Sequence, residues 1–246
     1  MSNPLDFTGR TVLVVGGSSG IGNGIAQGFR ATGATVHVWG TRANATDYLA
    51  EEGCDLTGLA YAQVDVSTPA AIAAWQPPFD RLDVLVLSQG IVRYKRAEYE
   101  SAPFREVIEV NLSSLMDCAM KFRGMLAASR GALITISSTA AYHATRGNPA
   151  YNASKAGAVG LTRTLGEAWA GDGIRVNGIA PGFVDTKLTK VTTANPDRLQ
   201  AAISRIPAGR LGTPQDMAGV ALFLASPLSA YVYGQTIPVD GGIILN

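Results

Sequence analysis

The chain has 246 residues, of which 47% are hydrophobic and 16% charged, with a formal net charge of +1. That balance provides for a well-buried core, in one large α/β domain or two small ones, and excludes a disordered chain. Lysine and arginine are scattered with no basic run, so no nucleic-acid footprint is indicated.

The opening stretch MSNPLDFTGR lacks a basic region followed by a long apolar core, so no secretory signal is expected. No apolar run approaches the ~18–20 residues needed to span a bilayer. Cys54 and Cys118 stand far apart and suggest no disulfide framework. His37 and His143 are the only histidines and nothing clusters with them, so no metal site is expected. These features point to a soluble, cytoplasmic protein.

The first strand-like run, TVLVVG (11–16), leads directly into GGSSGIG and a helix expected over 21–32. Glycines at 16, 20 and 22 allow a tight turn and close backbone approach, leaving a helix N-terminus aimed at a pyrophosphate. The residues expected to hold a dinucleotide there are Gly16, Ser18, Ser19, Gly20, Ile21 and Gly22. The second run, TVHVWG (35–40), ends without the acid that would hold a ribose 2′-hydroxyl. Gly40 stands in its place, followed by Thr41 and Arg42. A guanidinium suits a 2′-phosphate, so NADP(H) is favoured and NAD(H) is the alternative.

Further runs follow at LAYAQVDV (59–66), LDVLVLS (82–88), ALITIS (132–137), IRVNGIA (174–180) and QTIPVD (235–240). Several are apolar at nearly every residue, as in strands covered on both faces. Helix-like spacing fills 103–128, 153–170 and 214–225. The alternation predicts an α/β fold: a doubly wound parallel sheet of about seven strands with helices on both faces. No linker or repeat divides it, so one domain over 1–246 is expected.

Within NPAYNASKAG (148–157), Tyr151 and Lys155 are four residues apart and share a helix face. Asn148 can cap that helix, Pro149 suits its first turn, and Gly171 and Gly173 end it after about Trp169. A tyrosine ionises near pH ~10, so proton exchange at neutral pH needs a neighbour such as an ammonium to lower it. The start of this helix falls where open α/β sheets bind ligands.

These pieces, together with VDVS (64–67), VNL (110–112), ISS (136–138), YNASK (151–155), NGIAPGFVDT (177–186) and VDGG (239–242), resemble the classical short-chain dehydrogenase/reductase family over essentially the whole chain. The resemblance implies a Rossmann fold and a homotetramer. It also implies a catalytic set of Asn111, Ser138, Tyr151 and Lys155, with adenine contacts at Asp65 and Val66, a close approach at Gly90, and nicotinamide contacts at Pro181, Gly182, Val184 and Thr186. On that pattern Tyr151 exchanges a proton with a carbonyl or secondary alcohol, Ser138 holds the substrate oxygen, Lys155 binds the ribose and favours the phenolate, and Asn111 holds a water.

The chain departs from the family in three places: Val15 precedes Gly16, LSQG (87–90) replaces Asn-Asn-Ala-Gly, and Ser19 stands where NADP-preferring members often carry arginine. Pocket edges are expected at 91–94, 139–143, Phe183 and 186–209. His143 is either a substrate contact or structural, and Arg93, Lys95, Arg96 and Arg146 either attract an anion or are solvated. Two other classes stay open: a non-catalytic dinucleotide sensor, and a nucleotide-sugar epimerase or dehydratase.

Overall fold

The β-branched runs form seven strands in a computed structural model of the chain, whose described residues are 3–48 and 53–245. Met1 and Ser2 of the opening stretch, and Asn246 of the tail, lie outside them. The strands are β1 Thr11–Val15, β2 Thr35–Gly40, β3 Ala60–Gln63, β4 Val84–Leu87, β5 Ala132–Ile136, β6 Arg175–Pro181 and β7 Thr236–Val239. All pair in parallel, in the order β3-β2-β1-β4-β5-β6-β7. The chain steps from β1 outward to β3, then returns to the other side of β1 with β4. That reversal opens a crevice beyond the carboxyl ends of β1 and β4.

Strand alternation feeds two cores. Leu13 and Val15 point to one face, where Leu85, Leu87 and Leu133 meet Phe122 and Leu126 of α4 (Ser114–Ser129) and Leu165 of α5 (Pro149–Ala168). Val12 and Val14 point to the other, against Ile25 and Phe29 of α1 (Gly20–Ala31) and Met217 and Leu224 of α8 (Pro214–Ala225). In the inner strands β1, β4 and β5, apolar residues at consecutive positions are therefore buried, as a sheet covered on both faces requires. Beside β2, the Trp39 ring lies 4.9 Å from Trp75 and 5.8 Å from Phe122, and Phe79 packs 6.1 Å from Trp75.

Four differences from the sequence reading have local causes. The helix expected over 103–128 is divided into α3 (Ser101–Ile108), a π-helical turn (Glu109–Ser113) and α4. The wide turn swings Asn111 out of the helix toward Ile91. The helix α2 (Pro69–Ala74) went unread because its six residues are too short to show a period. The region 186–209, read only as a pocket edge, holds α6 (Lys190–Thr193) and α7 (Pro196–Ile203). Asn195 caps α7, accepting the Arg198 N–H at 3.0 Å, with Pro196 in the first turn. Strand β3 is shorter than its run, although the Val64 N–H still donates to Gly40 O at 2.9 Å. Among the described residues no helix is long and apolar enough to cross a membrane.

Candidate active site

The loop between β1 and α1 is folded so tightly that Gly16 and Gly22 have no room for a side chain. A Cβ at Gly16 would lie 2.9 Å from the Gln89 Cα, and one at Gly22 would lie 2.3 Å from Gly16 O. Gly20 holds φ +54, the left-handed region that glycine occupies freely. Ser19 stands at the N-cap of α1 with no side-chain capping bond, and the first turn carries no acid. The helix therefore presents backbone donors and a partial positive charge at Gly20–Gly22, where the loop borders a cleft of about 540 Å³. A loop whose glycines at 16 and 22 exclude a Cβ, beside an uncapped helix start, fits the pyrophosphate of a dinucleotide.

The cleft collects nearly all of the expected residues. Gly16, Ser18, Ser19, Gly20, Ile21, Gly22, Thr41, Arg42, Val66 and Gly90 line it, as do Ser138, Tyr151, Lys155, Pro181, Gly182, Val184 and Thr186. Asp65 is not among them. It is exposed, and its Oδ1 accepts both the N–H and the hydroxyl of Ser67, at 2.9 and 2.7 Å, turning the chain toward α2. Asn111 lies beneath the cleft wall. Its Oδ1 accepts the Ile91 N–H at 2.8 Å while its Nδ2 donates to Ile91 O at 2.9 Å, so the residue pins the backbone that continues from Gly90.

At the second strand, Tyr48 fills the position next to Gly40. Its hydroxyl accepts the N–H groups of Thr41 at 3.1 Å and Arg42 at 3.3 Å. A Cβ at Gly40 would be 2.7 Å from both Tyr48 Oη and Ser18 Oγ. The glycine is thus required by packing as well as permitted by the absence of an acid. The Arg42 guanidinium lies 4.6 Å over the Tyr48 ring, at the rim of the cleft.

The helix α5 carries Tyr151 and Lys155 and is fixed to β5 by hydroxyls. Ser137 donates to Lys155 O at 2.7 Å, and the Thr135 and Thr162 hydroxyls are 2.6 Å apart. This brings Ser138, at the end of β5, into hydrogen-bonding reach of the Tyr151 phenol. Lys155 is buried, donates to Ile136 O at 2.9 Å, and sits 5.7 Å from the centre of the Tyr151 ring. Burial brings its ammonium down to about 8.

The expected drop in the Tyr151 pKa is not found; the phenol moves the other way. Burial raises it most, the Ser138 hydroxyl lowers it, and the charges of Tyr94 and Glu98 raise it further. Lys155 directs its ammonium at a carbonyl and is itself desolvated, so it does not overcome burial.

On the opposite bank, a Cβ at Gly182 would meet Asp240 Cα at 2.8 Å, which is how VDGG packs against the end of β6. Thr186 reaches across toward Gly20, its Cγ2 lying 3.4 Å from where a Cβ there would be. The Tyr94 hydroxyl donates to Leu188 O, so the wall formed by Ile91–Tyr94 touches the 187–189 turn. Of the other expected edges, 139–143 lies outside the cleft apart from its neighbour Ser138, and so does Phe183. His143 is exposed, its ring nitrogen 3.2 Å from Ala144 O. Arg93 forms an ion pair with Glu106, so its charge is not left over for an anion.

A family model described as enoyl-(acyl carrier protein) reductase matches residues 15–244. Among curated relatives, the chain is 38% identical over 247 residues to the 3-oxoacyl-(acyl-carrier-protein) reductase FabG of Chlamydia pneumoniae, covering 97% of this chain and 98% of that one. It is 37% identical over 252 residues to the 2-dehydro-3-deoxy-D-gluconate 5-dehydrogenase of Bacillus subtilis, covering 98% and 97%. A solved structure from Agrobacterium tumefaciens, assigned as a 2-deoxy-D-gluconate 3-dehydrogenase and holding NADP, superimposes with a TM-score of 0.87 at 35% identity over 100% of both chains.

The chain belongs to the classical short-chain dehydrogenase/reductase family.

As a short-chain dehydrogenase/reductase it is an NAD(P)-dependent oxidoreductase of C=O and CH–OH groups. Two residues important to this member's cleft escaped the sequence reading. Tyr48 is separated from Gly40 by a segment with no strand or helix period, and only its aromatic character hints at burial. Glu98 caps the start of α5 in place of the Asn148 side chain. It accepts the Tyr151 N–H at 2.9 Å, while the Asn148 amide donates to Arg93 O at 3.0 Å. No local pattern announces a cap from 53 residues away.

Proposed function

We propose that the cleft carries out reversible hydride transfer between NADP(H) and a carbonyl or secondary alcohol, with Tyr151 exchanging the proton. The observation behind this reading is the meeting of three groups beside the dinucleotide cradle: the Tyr151 phenol, the Ser138 hydroxyl and the buried Lys155 ammonium. The nicotinamide supplies and accepts the hydride when bound. Ser138 holds the substrate oxygen within reach of the phenol. In carbonyl reduction Tyr151 donates its proton to that oxygen, and in alcohol oxidation it accepts one. With its pKa raised by burial, the phenol is in the protonated, donor form at neutral pH. Lys155 lies at the base of the cleft, where the ribose hydroxyls would meet its ammonium and add to its single carbonyl bond.

Preference for NADP(H) over NAD(H) is supported by Gly40, whose site has no room for an acid, and by Arg42 at the rim. NADP in the Agrobacterium structure points the same way. We place the protein in the cytoplasm, as one domain over 1–246 that assembles as a homotetramer. A sensor would have no use for a proton-exchanging set, and the relatives matched over nearly their whole length are a reductase and dehydrogenases rather than epimerases or dehydratases.

Nicotinamide absorbance is followed with NADPH and NADH against 3-oxoacyl thioesters, sugar-acid ketones, small ketones and the matching alcohols. Turnover with NADPH that disappears in Tyr151→Phe, while calorimetric NADPH affinity stays within about threefold, is the expected result. Full activity in that variant would overturn the proton assignment.

A further inference from the structure

Glu98 has no step in the hydride-transfer reading, yet it is 0% exposed, on the turn Ala97–Tyr99. A carboxylate removed from water is costly unless its oxygens are engaged. All of its partners lie around the cleft. Oε1 accepts the Arg93 N–H at 3.0 Å and the Asn148 amide at 3.3 Å, and Oε2 accepts the Tyr151 N–H at 2.9 Å. Because Asn148 also donates to Arg93 O at 3.0 Å, both backbone polar groups of Arg93 are held. Arg93 belongs to the wall 91–94, and Tyr151 to the first turn of α5, so a single carboxylate joins the two sides of the substrate space.

The local chain is bent to achieve this. Lys95 and Arg96 both take left-handed backbone, at φ 58 and φ 60, a conformation unfavourable for a residue with a Cβ. The reversal carries Glu98 inward to an N–H that no carbonyl of α5 can reach, at the end where a helix favours negative charge.

We propose that Glu98 is a positioning residue for the reaction: its carboxylate locks the phenol-bearing turn of α5 against the 91–94 wall and so fixes Tyr151 relative to the substrate oxygen. This rests on the reading of Tyr151 as the proton donor. The charge acts as well as the geometry. The phenol is faced by Ser138, Lys155, Tyr94 and Glu98, and the Glu98 carboxylate favours its protonated form.

Glu98→Gln has one acceptor oxygen, and its NH₂ must oppose either the Arg93 or the Tyr151 N–H. The expected result is a 10- to 100-fold fall in kcat, calorimetric NADPH affinity within about twofold of the native protein, and an acidic limb of alcohol oxidation moved to lower pH. Glu98→Asp retains the charge but not the reach, so it restores the pH limb while kcat stays low. Asn148→Ala, which leaves the carboxylate in place, lowers kcat less and leaves the limb unmoved; it serves also where Glu98→Gln does not fold. Native kcat and pH profile in Glu98→Gln overturn the proposal, as does a loss of kcat matched by equal losses of NADPH affinity and melting temperature. If Tyr151→Phe is inactive while Glu98→Gln is native, only the Glu98 role falls. If Tyr151→Phe turns over normally, the proton assignment falls first.

Discussion

Gly24 of α1 lies so close to Pro214 of α8 that a methyl group on the glycine would stand 2.3 Å from the proline Cβ. Four residues on, a Cβ at Gly28 would be 2.9 Å from that of Ala218, so the two helices meet along a stripe with no room for side chains. Because α1 also starts the dinucleotide cradle, helix packing and ligand binding are mechanically linked. Gly24→Ala is expected to destabilise the fold by about 1–3 kcal/mol through overpacking. It should also weaken dinucleotide binding as α1 shifts. Chemical denaturation and calorimetry check this; unchanged stability would show that α8 moves aside freely.

Lys155 gives a pH-dependent stability. Burial brings its folded-state pKa to about 8, below the ~10.5 of the unfolded chain, so the folded state resists the charge. The penalty is fully present below pH 8, fades as pH rises from about 8 to about 10.5, and amounts to roughly 3 kcal/mol at its largest. Lys155→Met removes it along with the bond to Ile136 O. The stability of the variant relative to the native protein should therefore fall between pH 7 and pH 10. A constant difference across that range in denaturant unfolding would contradict the assignment.

Gly40→Asp places a carboxylate where the 2′-hydroxyl contact of NAD would be made, yet its Cβ would meet Ser18 Oγ and Tyr48 Oη at 2.7 Å. The variant is expected to lose more than tenfold in affinity for 2′,5′-ADP without gaining affinity for 5′-AMP. Calorimetry on both nucleotides decides. A clean switch to 5′-AMP would mean that Tyr48 yields easily.

Ser138→Ala removes the bond that lowers the Tyr151 pKa. With the phenol harder to ionise, the acidic limb of alcohol oxidation should move to higher pH, and kcat should fall about 10²-fold with the substrate oxygen unsupported. A limb that stays in place would show that the hydroxyl leaves the phenol untouched.

Much of this site was legible because its chemistry is written locally. Glycines 16, 20 and 22 follow a buried strand directly, and Tyr151 and Lys155 share one helical turn after an Asn-Pro start. What escaped depends on contacts between distant segments. The role of Glu98 exists only because a strained turn returns it to α5, and that of Tyr48 only because the chain after β2 folds back over Gly40. The π-helical turn was hidden for another reason. Asn111 fits the apolar spacing of a plain helix, and only the pull of Ile91 reveals the extra width. The direction of the Tyr151 shift likewise depended on burial, which spacing does not measure.

The aromatic group beneath β2 has an optical consequence. Two of the three tryptophans, Trp39 and Trp75, pack edge to face, and Trp39 directly precedes the Gly40 that borders the cleft. Reduced nicotinamide absorbs where tryptophan emits, so indole emission at this edge will be quenched as the cofactor docks. The chain thus carries its own reporter of cofactor occupancy, readable by energy transfer without an added label.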